Sequence, residues 1–277
     1  MKNAFLLFFV FIFGFNGHSQ TRINTEKLKD YLYCPSSNTD ALEKFADALD
    51  GFQVSLTIKN YDYMGGISNR FYEAFEADST FCDALFYAGR AALFTENKKV
   101  GIAFLYMADS LSGNKSFEFK KVLADEVYKM GTLPAMELAR KKFKELIEFF
   151  PNNPEGYYSY SLTSFVLNDF DEGLMNIDKA VQLFKIARQE ENVKDAYLLK
   201  GMLLSSAGRH EIAVKVFETI PDFWKMDNYK VFYCYSLVSL ANGDEKKLKE
   251  AKRIYRKINN KDIIPPDFKI AFTVFED

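Results

Sequence analysis

The chain has 277 residues, 48% of them hydrophobic and 27% charged, with a formal charge of -2. This is ordinary globular composition, long enough for one large domain or a repeat array. A chain so close to neutral has no global field that would gather nucleic acid or acidic lipid, so charge makes no case for either as a partner.

Lys2 precedes an apolar run of ten residues from Ala4 to Phe13, followed by Gly14, Asn16 and Gly17-His18-Ser19. A basic start, an apolar core and small residues at the cleavage positions are the order of a secretory signal. We expect residues 1–19 to be such a signal, cut after Ser19, with the mature chain starting at Gln20. The apolar run is far short of the roughly 20 residues that span a bilayer, which argues against an anchor. The expected location is therefore outside the cytoplasm: the periplasm first, secretion second. Of the three cysteines, Cys234 lies in an apolar helical pattern and reads as a buried small hydrophobe. An oxidising compartment permits a bond between Cys34 and Cys82, but sequence alone leaves that pairing open.

Residues 20–33 read as a polar, partly helical lead-in ended by Cys34-Pro35-Ser36-Ser37. Asn38-Thr39-Asp40 can cap a helix that carries Leu42, Phe45, Ala46, Leu49, Phe52 and Leu56 at helical spacing. Val54 to Ile58 also alternates, so a short strand is the rival there, and Met64-Gly65-Gly66 reads as a break and turn.

A repeating pattern follows. Ile67, Gly101, Ala139, Gly173, Ala213 and Ala251 open successive second helices at spacings of 34, 38, 34, 40 and 38 residues. Four residues after each come Phe71, Leu105, Phe143, Ile177, Phe217 and Tyr255. Seven after come Ala74, Ala108, Leu146, Ala180, Ile220 and Ile258. Twelve before the marker stand Ser55, Gly89, Ser161 and Gly201, with Val127 in the third unit and Ser236, displaced by a longer turn, in the last. The clearest segment is residues 137–184, in which one helix stops at Pro151, the next starts after the Pro-Asn-Asn-Pro turn, and a third follows Asn168-Asp169.

This order of small, aromatic and proline positions resembles the tetratricopeptide repeat, a 34-residue helix-turn-helix unit. The resemblance covers about residues 50–258; its best matches are Ala196 to Ile220 and Ala139 to Pro151. No unit has the full motif, since Leu85, Tyr157 or Tyr197 stands where the repeat's first-helix Trp would be. The resemblance implies an all-α, right-handed solenoid of about five to six antiparallel helix pairs. A single pair cannot bury both apolar faces, so pairs stack and the ends need capping. Residues 259–277 read as the C-terminal cap.

The residues offer little chemistry. His210 is the only histidine after the expected signal and sits where a second helix begins, which suits neither a usual zinc set nor a Ser-His-acid triad. No GxxxxGK[ST] phosphate loop is present. Asp169/Asp171 and Glu190/Glu191 lie at turns and helix ends, where carboxylates favour the helix dipole. No catalytic residue, metal or cofactor is expected. Charge is uneven: residues 40–83 hold nine acidic against three basic residues, and residues 246–261 hold eight basic residues against Glu250.

The resemblance further implies that the first helix of each pair lines a concave groove. By register the groove residues are Phe86, Arg90, Tyr128, Tyr158, Leu162, Phe165, Leu198, Met202, Tyr233 and Leu237. The Lys/Asn set by which chaperone-binding relatives hold a terminal carboxylate is not matched. An aromatic and apolar groove suits an apolar-faced helix or an extended segment, because Tyr and Met bring contact area at little entropic cost. The expected role is a non-catalytic protein-interaction module. The alternatives are an enzyme or small-ligand binder using an interhelical pocket, and a structural subunit of an envelope complex.

Overall fold

A computed structural model describes residues 25–222 and 225–275. The expected signal peptide and its cleavage site lie outside the described residues. Among those residues every regular element is a helix, and they divide into two compact units meeting in sequence at Met130 and Gly131.

The first unit opens with a single turn, α1 (Thr25–Leu28), and a short 3-10 turn over Lys29–Tyr31. Then come α2 (Thr39–Ile58), α3 (Met64–Ala77), α4 (Cys82–Ala92), α5 (Lys98–Leu111) and α6 (Phe117–Tyr128). Asn38 starts α2 by accepting from the amides of Asp40 and Ala41, as its side chain is suited to do. Helix, not strand, runs through Val54–Ile58: Phe52 and Ser55 are buried at helical spacing while Val54 and Ile58 face solvent. The break falls earlier than expected. Lys59, with φ of 55°, ends α2, and Gly65 and Gly66 lie in the first turn of α3 rather than in a turn of their own. A Cβ at Gly66 would meet nothing within 4 Å, so no close approach demands a glycine there.

The second unit holds α7 (Leu133–Phe149), α8 (Pro154–Val166), α9 (Phe170–Ile186), α10 (Glu190–Ser206), α11 (His210–Glu218), α12 (Asp227–Ala241), α13 (Glu245–Tyr255) and α14 (Pro266–Phe272). Asn153 caps α8 through the amide of Glu155, with Pro154 at the first helical position, where its missing N–H is no loss. Asn168 and Gly208, both with positive φ, reverse the chain between α8 and α9 and between α10 and α11.

Along α2 to α6 and along α7 to α13 each helix packs on the next, and so do the first helices of successive pairs: α2 with α4, α8 with α10, α10 with α12. The expected small and aromatic positions carry that packing. Phe71, Leu105, Phe143, Ile177, Phe217 and Tyr255 are all buried, as are the six residues three places after them. The small partners are needed: a Cβ at Gly201 would lie 2.6 Å from the ring of Phe217, and one at Gly173 2.7 Å from Leu203. Ser205 donates to the carbonyl of Phe232 and Ser236 to Ser205, which ties α10 to α12 through buried hydroxyls. α14 packs on α12, with Phe268 stacked on Tyr235 at 3.8 Å and edge-on to Phe232 at 5.2 Å.

Candidate functional site

The ten groove residues named from sequence fall on first helices: Phe86 and Arg90 on α4, Tyr128 on α6, Tyr158, Leu162 and Phe165 on α8, Leu198 and Met202 on α10, and Tyr233 and Leu237 on α12. Four of them are core. Phe86 and Leu198 are 1% exposed, Tyr233 1% and Leu237 5%, so a partner could not touch them on the surface as it stands. Close helix approach buries one of the two positions on α4 and on α10, both on α12, and none of those on α6 and α8. Phe86 stacks on Phe119 at 4.2 Å, and the Tyr233 hydroxyl donates to Glu218 at 2.9 Å while its ring stands edge-on to Phe217. Burial, with Glu218 beside it, pushes the Tyr233 hydroxyl far above its ordinary value, which removes it from acid–base work near neutrality.

The other six are half-buried. In the first unit the Arg90 guanidinium lies 5.7 Å from the ring centroids of both Phe52 and Phe86 and 5.8 Å from that of Tyr87, with Glu118 at 3.8 Å. It is an aromatic-caged cation. The Tyr128 hydroxyl is raised by burial. In the second unit Tyr158, Leu162 and Phe165 stand at i, i+4 and i+7 along α8, and Met202 lies on α10, which packs on α8. All four rest on the core with part of each side chain open. Phe165 reaches Phe170 at 6.3 Å and Phe232 at 5.8 Å, and Tyr158 meets Phe184 at 6.2 Å. Sequence reasoning did not pick out Phe232, which bridges Phe165 of α8 to Phe268 of α14. Its place one residue before Tyr233 was the available signal, because neighbouring positions on a first helix face adjoining sides.

Of the acidic pairs, Asp169 and Asp171 are each held by a cation, while Glu190 and Glu191 are exposed in the first turn of α10. Arg140 bonds Asp169 at 2.8 Å and lies 3.9 Å from Glu172; Arg209 bonds Asp171 at 2.5 Å; Lys200 bonds Asp178 at 2.5 Å. Each pair ties one helix pair to the next. His210 opens α11, half-buried and edge-on to Tyr235 at 5.3 Å, and burial lowers its pKa. Two concavities, of about 160 and 380 Å³, lie on the α13 side of the second unit; cations and Ile254 line them, and no carboxylate does. They are not clefts for paired-carboxylate catalysis.

In the first unit Cys34 is bonded to Cys82, fastening the lead-in to the start of α4. Beside them Asp83, 2% exposed, accepts from the amides of Tyr33 (3.0 Å) and Cys34 (2.8 Å). Burial pushes its carboxyl up to about 6, against the downward pull of those amides. These sulfurs and the carboxylate form the one group of metal-type donors among the described residues, and the bonded sulfurs are not thiolates. Cys234 is buried and outside any disulfide, its thiol donating to the Ala251 carbonyl at 3.3 Å, and burial pushes that thiol up to about 12.

No protein-family model matches the sequence, and no curated protein matches it. Solved structures do match its fold. The MamA protein aligns with a TM-score of 0.52 and 17% identity over 64% of this chain and 89% of its own. The Cut9-Hcn1 hetero-tetramer of the APC/C aligns with a TM-score of 0.52 and 13% identity over 98% of this chain. This chain spans 46% of the length of the Cut9-Hcn1 chain it matches. With the all-helical architecture and the small-residue contacts between its pairs, the likeness fixes the fold as a tetratricopeptide-like array of antiparallel helix pairs.

Proposed function

We propose that the protein is an exported, non-catalytic interaction module that holds an apolar-faced segment of another protein on the α8–α10 face of the second unit. The observation that carries this reading is the row of half-buried Tyr158, Leu162 and Phe165 on α8, with half-buried Met202 on α10, which packs on α8; all four rest on the core and keep apolar surface open to solvent. Residues at i, i+4 and i+7 present one stripe, the spacing an incoming amphipathic helix or extended strand can meet with alternate anchors. An aromatic and thioether stripe gains contact area while losing little side-chain freedom.

Export has two supports. One is the order Lys2, apolar run, Gly17-His18-Ser19. The other is the Cys34–Cys82 bond, of a kind that persists in oxidising compartments and is rare in the cytosol. No helix among the described residues is long and apolar enough to cross a membrane.

The test is a crosslinking capture from the native envelope fraction, comparing the unaltered protein with Tyr158→Ala/Met202→Ala and with Met175→Ala, a 70% exposed control on α9. One dominant protein held by the unaltered chain and the control, and lost from the double variant, is the expected result. Equal capture by all three would overturn the assignment of the α8–α10 face.

A further inference from the structure

The first long helix and the last repeat helix carry matching rows of opposite charge. On α2 the row is Asp40, Glu43, Asp47 and Asp50; on α13 and its cap it is Lys246, Lys249, Arg253 and Arg256. All eight are exposed. Both rows step by three, four and three residues. At about 100° per residue such a row stays within an arc of about 80° and runs about 15 Å along the helix. The steps read the same from either end, so the two rows match in parallel and in antiparallel alignment. Among the described residues no carboxylate lies within ion-pair distance of the basic row. The acidic row is only partly answered: Lys44 bonds Asp40 at 2.6 Å, and Arg70, already bonded to Glu73 at 2.8 Å, lies 3.8 Å from Asp47.

Each row lies on a face its own unit leaves uncovered. The apolar sides of α2 and α13 are packed by Ala41, Phe45, Ala48 and Phe52 in one case and by Ala251, Ile254 and Tyr255 in the other. Like charges repel along each row, and bringing opposite rows together relieves both repulsions at once. We propose that these rows form a contact between copies of this chain, the α2 row of one molecule seated on the α13 row of the next. The contact is heterologous. Every copy that joins leaves one acidic and one basic row free, so assembly continues as an open chain or closes as a ring. This contact is separate from the apolar face assigned to a partner protein, and each can fail without the other.

Exposed ion pairs are individually weak and screened by salt, so the association is a low-salt, concentration-dependent one. The probe is the mature chain in sedimentation velocity at about 10 mM and about 300 mM ionic strength, where the screening length falls from about 30 Å to well under 10 Å. Two charge-reversed forms accompany it: Lys246→Glu/Lys249→Glu/Arg253→Glu, and Glu43→Lys/Asp47→Lys/Asp50→Lys. The second set spares the first turn of α2, where a new cation would oppose the dipole; in the first set Arg253→Glu puts an acid in the last turn of α13, so its folding is checked by melting. The unaltered chain is expected to gain mass with concentration at low salt and to return to monomer at high salt. Each reversed form alone is expected to stay monomeric, and an equimolar mixture of the two to assemble again. A melting temperature close to that of the unaltered chain shows that each form is folded. A monomeric unaltered chain at low salt, or a mixture of folded reversed forms that stays monomeric, would overturn the proposal. So would binding of the unaltered monomer to anionic vesicles or to an acidic peptide without self-association, which would give the basic row a different occupant.

Discussion

Gly89 on α4 and Gly101 on α5 touch backbone to backbone: a Cβ on Gly89 would lie 2.8 Å from the Gly101 carbonyl oxygen, and one on Gly101 2.9 Å from that of Gly89. The obstacle on each side is main chain, which cannot turn aside as a side-chain tip can. Leu105 and Leu93 close the remaining space at 2.9 and 3.2 Å. Gly89→Ala or Gly101→Ala is therefore expected to destabilise the first unit by roughly 1–3 kcal/mol, the usual range for overpacking a tight core. Urea unfolding checks it. Gly66→Ala, which meets open space, is the matched control and should be neutral or slightly stabilising, because Ala reduces the freedom of the unfolded chain.

A buried ion pair joins α5 to α6. Lys120 is fully buried, with Nζ 2.9 Å from Asp109 Oδ2 and 2.7 Å from Asn114 Oδ1. Removing one partner leaves a buried charge without its counter-charge. Lys120→Met is expected to destabilise by roughly 3–5 kcal/mol, while Lys120→Met/Asp109→Leu should recover much of that loss. Thermal melts of the two variants decide it; a double variant no more stable than the single one would contradict this account.

The repeat class was legible in the sequence because it rests on spacing. Gly101, Gly173 and Gly201 announce close helix approach, and the residues four after each marker must fill the wedge beside them. The surface was harder to read. Leu198 and Met202 share a face of α10 at i and i+4, yet Leu198 is 1% exposed and Met202 half open. The difference is set by which neighbours cover each residue once α10 packs on α8, α9, α11 and α12, a tertiary fact that periodicity does not hold. Pairing of Cys34 with Cys82 was out of reach for the same reason: 48 residues separate them, and only the packing brings their Cα atoms to 5.5 Å.

That bond closes a loop across 48 positions of sequence, so removing it returns to the unfolded chain the entropy of loop closure, which grows with the logarithm of loop length. Cys34→Ser/Cys82→Ser is expected to lower stability by about 2–4 kcal/mol. Limited proteolysis gives a local readout as well. With the covalent tie gone, the lead-in is held to α4 chiefly by the Asp83 bonds to the amides of Tyr33 and Cys34, and cleavage within residues 33–38 should become faster.

Asp83 also gives the stability a defined pH dependence. Its carboxyl is raised by burial to about 6 in the folded protein and returns to about 4 on unfolding. Between those values the folded chain binds a proton that the unfolded chain does not, so stability from this group rises as pH falls from about 7 towards 4. Glu118, raised mainly by burial with Arg90 pulling the other way, acts in the same direction. Asp78 has the opposite sign: hydrogen bonds from Ser36 and Thr80 lower its pKa, so its contribution is present above about 4 and is lost only in stronger acid. His210, whose pKa burial lowers, opposes this, so the Asp83 contribution is read as a difference: from pH 7 to 5 the unaltered chain should gain melting temperature relative to Asp83→Asn. An unchanged slope in Asp83→Asn would show that another group carries it.

The burial pattern separates binding variants from folding variants on the first helices of the second unit. Tyr233 and Leu198 sit in the core, so truncating either opens a cavity beside neighbours that cannot fully relax. Leu198→Ala is expected to cost about 2–5 kcal/mol and Tyr233→Ala about 3–5 kcal/mol. The Tyr233 change also leaves Glu218 without its hydroxyl donor. Tyr158 and Met202 keep open surface, so their truncation removes less buried area and should cost well under those values. Partner capture should respond in the reverse order once variants are compared at equal folded fraction: lost in Tyr158→Ala/Met202→Ala and retained in Leu198→Ala. If Leu198→Ala abolished capture at full folding, the contact surface would have to include a side chain that the folded array keeps covered, and the α8–α10 face would open on binding.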